Sequence, residues 1–217
     1  MIQAGIVGGA GYTAGELIRI LLNHAEVKLD FVYSTSQAGK LVASIHQDLL
    51  GDTGLKFSGN INPEADVVFL CLGHGNSKKF LEENKFSENT VIIDLSNDFR
   101  LAAESNKFIY GLPEFHKEEI KNSRFIANPG CFATAINLAI LPLAKEGKIT
   151  NDLHINAVTG ATGAGVAHSD TTHFSWRDNN FSSYKEFAHQ HLGEIGEQVK
   201  ALQNDFSSEI NFIPNRG

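Results

Sequence analysis

Cys131 is the residue of this chain best placed for covalent chemistry. It follows Asn128-Pro129-Gly130 and opens the apolar run Phe132 to Ala144, a break followed by helical spacing that puts the thiol at or beside a helix N-terminus. The partial positive charge there favours thiolate, the form of cysteine that attacks a carbonyl carbon. A free cysteine is more often a small buried hydrophobe, and Cys71, inside Val67-Val68-Phe69-Leu70-Cys71-Leu72, fits that description better.

The other chemical signature lies at the start of the chain. Gly8-Gly9-Ala10-Gly11-Tyr12-Thr13-Ala14-Gly15 sits between an apolar run and a helical pattern, and Gly9 to Ala14 satisfies GxGxxG/A in that setting. Glycines let the backbone approach a pyrophosphate, which unpaired N–H groups at the helix N-terminus then bind; the alternative is a glycine turn that only seats helix on strand. An NAD site usually ends its second strand with Asp or Glu. Here that place reads Tyr33-Ser34-Thr35-Ser36, so Ser34 and Ser36, with Lys40 nearby, suit a 2′-phosphate, and NADP is the expected cofactor. A nucleophilic cysteine combined with a dinucleotide site implies a thioester reduced by hydride.

Such groups need a scaffold. Ile2 to Val7, Val27 to Ser34, Asp66 to Leu72, Thr90 to Leu95 and Arg124 to Ala127 read as strands, with helices over Thr13 to Asn23 and Cys131 to Lys145. Continuously apolar strands alternating with helices predict an α/β fold built on a parallel sheet of Rossmann type. Ser96 to Ser123 is polar and rich in turn residues. Beyond Thr150 the texture changes, with a strand at Leu153 to Val158, a Gly, Ser, Thr, Asn and His-rich stretch, and a helix over Glu186 to Leu202. The expected division is therefore residues 1–150 as the dinucleotide domain and 151–217 as the start of a second α/β (α+β) domain. The C-terminal sequence ends just after a strand-like start and reads as truncated.

Composition narrows the partners. With 217 residues, 42% hydrophobic and a net charge of −7 at a pI near 5.7, the chain lacks the basic surface that nucleic acid or an anionic membrane requires. Its apolar stretches are shorter than the ~20 residues of a membrane helix, and the N-terminus has no signal-peptide pattern. Two cysteines far apart suit a reducing cytoplasm.

Four motifs in one order resemble the N-acetyl-γ-glutamyl-phosphate reductases, relatives of the aspartate-semialdehyde dehydrogenases. They are Gly8 to Glu16, Ile93-Asp94-Leu95-Ser96-Asn97-Asp98-Phe99-Arg100, Tyr110-Gly111-Leu112-Pro113-Glu114, and Asn128-Pro129-Gly130-Cys131-Phe132-Ala133-Thr134-Ala135. The resemblance implies Cys131 as the thioester-forming residue, a small acyl-phosphate substrate, and a second domain that carries catalytic groups and the contacts of a homodimer or homotetramer. It implies that Thr159 to Gly165, with Gly163 in it, is the glycine-rich loop near nicotinamide and substrate phosphate. It also matches Tyr184 and His189-Gln190-His191 to the family's Tyr and His-x-His segment. On a helix, His191 and Glu194 are neighbours at i, i+3, so the carboxylate can orient the imidazole. His191 is then the acid and base, with His189 next in line, and too few further ligands stand nearby for a metal site.

Two departures from the family pattern are Leu192-Gly193, where proline commonly follows the second histidine, and the family's continuation past Gly217. Arg100, Arg177 and Lys185 are candidate cations for substrate carboxylate and phosphate. The rival readings are an aspartate-semialdehyde dehydrogenase, against which the Tyr110 to Glu114 stretch argues, and a dinucleotide-sensing protein in which Cys131 is structural.

Overall fold

β1 (Ile2–Val7) places Ala4 and Ile6 in one apolar cluster and Val7 in another, as a strand covered on both faces must. In a computed structural model describing residues 1–105 and 107–217, it is followed by α1 (Tyr12–Leu22), β2 (Val27–Tyr33), β3 (Val67–Leu70), α2 (Asn76–Glu83), β4 (Val91–Asp94), α3 (Ala102–Ser105), β5 (Ile109–Tyr110), α4 (Pro113–Lys121) and β6 (Phe125–Ala127). Asn106, inside the turn-rich stretch, lies outside the described residues. The six strands form one parallel sheet in the order β2-β1-β3-β4-β6-β5. The α/β reading with a Rossmann-type sheet is thus borne out. Because β2 and β3 flank β1 on opposite sides, the strand order reverses there, and a crevice for a ligand opens at the carboxyl ends of such strands. Gly8 follows β1 at that end.

The turn-rich stretch hides more order than its composition suggests. Tyr110 ends β5, Pro113 supplies the first turn of α4 with its preset φ, and Asp98 serves as a remote cap. Its carboxylate accepts from the N–H groups of Gly75 (2.6 Å), Ser77 (2.9 Å) and Lys78 (3.1 Å), satisfying the start of α2 from a different loop. Asp98→Ala should lower unfolding free energy by about 2 kcal/mol, since three donors at the start of α2, that of Ser77 buried, lose a charged acceptor. Chemical denaturation with an unchanged midpoint would contradict this.

Contacts divide the chain after Asn128, into Met1–Asn128 and Pro129–Gly217, whereas the change of texture suggested a boundary near Thr150. The difference has a packing cause. α5 (Cys131–Lys145) buries Phe132, Ile136, Ile140 and Leu141 and packs on α7 (His191–Leu202), so it belongs with the elements that follow it. Its C-terminus closes with N–H bonds from Gly147 to Ala144 O (3.0 Å) and from Lys148 to Leu143 O (2.9 Å), a Schellman pattern. The second unit also holds β7 (Leu153–Thr159), α6 (Phe174–Arg177), β8 (Ser182–Ser183) and β9 (Ile210–Arg216). β9 pairs in parallel with β7 and antiparallel with β8. α7 begins at His191 and not at Glu186, because Lys185 (φ 49°) and Phe187 (φ 57°) stand in the left-handed region and cannot continue a helix. Among the described residues no helix is long and apolar enough to cross a membrane.

Candidate active site

Gly130 is the N-cap of α5 and Cys131 its first helical residue, with an exposed side chain. The chain turns into the helix here because Pro129 and Gly130 stop β-type pairing while the apolar face from Phe132 onward demands burial. What fixes the turn is a carboxylate on another helix. Glu194, 2% exposed, accepts the Gly130 N–H through Oε2 at 3.0 Å, and its Oε1 lies 3.8 Å from His191 Nε2. A buried carboxylate requires such compensation, and the positive end of α5 contributes to it. The His191 ring also lies so close to the Gly130 Cα that a β-carbon on residue 130 would collide with Nε2. Residue 130 must therefore be glycine for His191 and Glu194 to reach the nucleophile's loop.

His189 and His191 are both buried, with ring centroids 4.5 Å apart. The His191 N–H donates to His189 Nδ1 at 3.2 Å, which leaves that nitrogen unprotonated. Burial, reinforced by His191 and Lys185, pushes the His189 pKa down to about 4. His189 is thus neutral near pH 7, and its free base already serves the first turn of α7. Aromatic rings complete the surroundings: Phe132 lies 5.5 Å from His189, 6.2 Å from His191 and 5.2 Å from Phe212, and Tyr184 lies 5.9 Å from His189. Burial raises the Tyr184 pKa, while the guanidinium of Arg216, 4.3 Å from the ring centroid, opposes that rise.

Leu192-Gly193 does not prevent the histidine segment from forming. Gln190 occupies the N-cap position of α7 without a side-chain cap bond, and the Leu192 N–H bonds to His189 O at 3.0 Å. The candidate cations are differently placed. Arg100 donates to Asn128 O (2.9 Å) and Leu95 O (3.0 Å), and Arg177 to Arg216 O (2.8 Å) and Ser182 Oγ (2.9 Å), so both brace backbone. Lys185 is exposed and reaches Gln190 Oε1 at 3.1 Å. Arg216 comes to Tyr184 only through the fold-back of β9, which spacing in the sequence does not encode. Cys71 stands apart from this chemistry: burial, with Asp94 nearby, pushes its thiol up to about 12, which keeps it protonated.

The glycine loop occupies the turn from β1 to α1. Gly8 has φ 81°, and a β-carbon there would lie 2.6 Å from Cys71 O; one on Gly9 would collide with Val32 Cγ1. Gly11 caps α1, so Tyr12, Thr13 and Ala14 form its first turn and offer N–H groups to an anion. Ala10 lies between the loop's glycines. Past β2, Ser34 Oγ and Ser36 Oγ stand 3.5 Å apart, and Lys40 Nζ reaches Gln37 Oε1 at 2.9 Å. No carboxylate follows the end of β2 before Lys40. The backbone shape and the charge of this region fit a dinucleotide bearing a 2′-phosphate. Gly163 lies in the 3-10 turn Ala161–Ala164 after β7, where its N–H bonds to Gly160 O (3.3 Å) and that of Gly165 to Thr162 O (3.0 Å); an anion there would rely on other donors. Among the described residues no three His, Cys, Asp or Glu side chains are grouped to hold a metal.

Comparison with known proteins places these features in context. Residues 3–123 match the model for the semialdehyde dehydrogenase NAD binding domain, and residues 131–217 that for the semialdehyde dehydrogenase dimerisation domain. An N-acetyl-gamma-glutamyl-phosphate reductase of Christiangramia forsetii is 71% identical over 217 residues, all of this chain and 68% of that protein. One from Flavobacterium johnsoniae is 62% identical over 221 residues, with the same coverage. Among solved structures, aspartate semialdehyde dehydrogenase II from Vibrio cholerae shares the fold at a TM-score of 0.68 and 17% identity, over all of this chain and 70% of that one. An aspartate semialdehyde dehydrogenase with NADP from Candida albicans does so at 0.65 and 15%, over all of this chain and 67% of that one.

Proposed function

The chain belongs to the semialdehyde dehydrogenase family, among its N-acetyl-γ-glutamyl-phosphate reductases, and from that premise we propose how its residues carry out the reaction. The activity is NADP-dependent reduction of N-acetyl-γ-glutamyl phosphate to N-acetyl-glutamate 5-semialdehyde and phosphate, a step of arginine biosynthesis. One observation carries the assignment of residues: an exposed cysteine opens α5 while a buried Glu194 on α7 holds the preceding N–H beside His191.

Cys131 thiolate attacks the γ-acyl carbon, the carbon–oxygen bond to phosphate breaks, and a thioester to Sγ forms. Gly8 to Ala14, with Ser34 and Ser36 at the 2′-phosphate and, as the family resemblance implies, the Gly163 turn, would hold NADPH, which would supply the hydride that reduces the thioester. His191 gives a proton to the acyl oxygen, forming a thiohemiacetal, then takes it back as the carbon–sulfur bond breaks and Cys131 leaves as thiolate. His189 keeps α7 and the His191 ring in place. The second unit serves self-association, as a homodimer or homotetramer, and the two free cysteines suit the cytoplasm.

The direct test follows NADPH absorbance on addition of N-acetyl-γ-glutamyl phosphate. One phosphate should appear per NADPH consumed, and phosphate release without NADPH consumption would overturn the reading. NADPH should bind more tightly than NADH. Ser34→Asp, by setting a carboxylate against the 2′-phosphate, should weaken NADPH binding about 100-fold with little effect on NADH; calorimetry showing parallel losses would refute the assignment of Ser34.

A further inference from the structure

His46 lies on the short turn after Val42–Ser44, 37 residues from the glycine loop in sequence, yet it is buried against that loop. Its Nε2 is 2.7 Å from the carbonyl oxygen of Gly9. A carbonyl can only accept, so Nε2 carries a proton and donates. The ring also fills the space above Gly15, where a β-carbon would stand 2.5 Å from Nδ1, and it meets Phe57 on its other side at 6.3 Å between centroids.

The consequence follows from peptide geometry. Gly9 O and the Ala10 N–H belong to one planar trans peptide and point in opposite directions. Drawing the oxygen to His46 turns the Ala10 N–H away from His46, and among the described residues it meets no protein acceptor. We propose that His46 is a positioning residue for dinucleotide binding, presenting the Ala10 N–H to the pyrophosphate, and that glycine at residue 15 is required to admit its ring. The proposal rests on the glycine loop being the cofactor site.

NADPH binding, read by fluorescence titration of the full chain, tests it. His46→Ala should raise Kd for NADPH about 10-fold, the worth of one well-placed hydrogen bond to the loop. The rate of Cys131 acylation by acyl phosphate without NADPH should stay within about twofold, since no part of the acylation machinery changes. His46→Gln, which keeps an N–H donor, should recover part of the affinity. Gly15→Ala should weaken NADPH alone but add little in the His46→Ala background, because both changes remove the same contact. Failure of the wild type to bind NADPH would overturn the cofactor-site reading. Wild-type binding with unchanged Kd in His46→Ala, additive effects of the pair, or a lowered Tm without a change in Kd would overturn the role of His46.

Discussion

Cys131→Ser should abolish reduction, lowering kcat by about 10⁴-fold or more, while NADPH binds as before. A serine hydroxyl at the start of α5 is almost wholly protonated near neutral pH, and the helix dipole that favours a thiolate is too weak to ionise an alcohol. The substitution replaces one side-chain atom and removes none of the backbone donors of the glycine loop. Incubation of wild type with acyl phosphate in the absence of NADPH, followed by acid quenching, should show one acyl group on Cys131 by mass spectrometry. Cys71 should remain unmodified, because burial keeps its thiol protonated. Near-wild-type turnover in Cys131→Ser, or an adduct on Cys71, would sink the thioester mechanism. It would also revive the view of the chain as a dinucleotide-sensing protein.

The parallel sheet and the cysteine's position are written in local signals of the sequence, whereas the long-range contacts of the site are not. β1, the glycine turn and α1 were readable because strand, turn and helix are consecutive and each has its own period. Cys131 was readable because Pro129-Gly130 and the apolar run after it define a helix start by themselves. Glu194 was recognised only as a neighbour of His191 on one helix. Its bond to Gly130, 64 residues away in sequence, comes from packing α7 on α5, which no spacing encodes. Asp98 shows the same limit: it was seen as part of a motif, but its work as the cap of α2 depends on two loops meeting. The early start assigned to α7 failed for a local reason, since Glu186 to Gln190 have acceptable helical spacing while Lys185 and Phe187 adopt backbone angles that composition does not reveal.

His191→Ala should lower kcat by roughly 10²–10⁴-fold with little change in NADPH affinity, the range for loss of a general acid–base group. His189 is the competitor, and the structure separates the two by what each nitrogen does. His189 spends Nδ1 on the His191 N–H, and burial holds its pKa near 4, so near neutral pH it has little proton to give. His191 instead has Glu194 3.8 Å from Nε2, a carboxylate placed to orient the ring toward the nucleophile's loop. A positioning role for His189 predicts a smaller loss in His189→Ala, and one that leaves the shape of the pH–rate profile intact. The neutral-range limb of that profile should vanish in His191→Ala. If it persists there and disappears in His189→Ala, the proton passes through His189, and the hydrogen bond that occupies its Nδ1 must break during turnover.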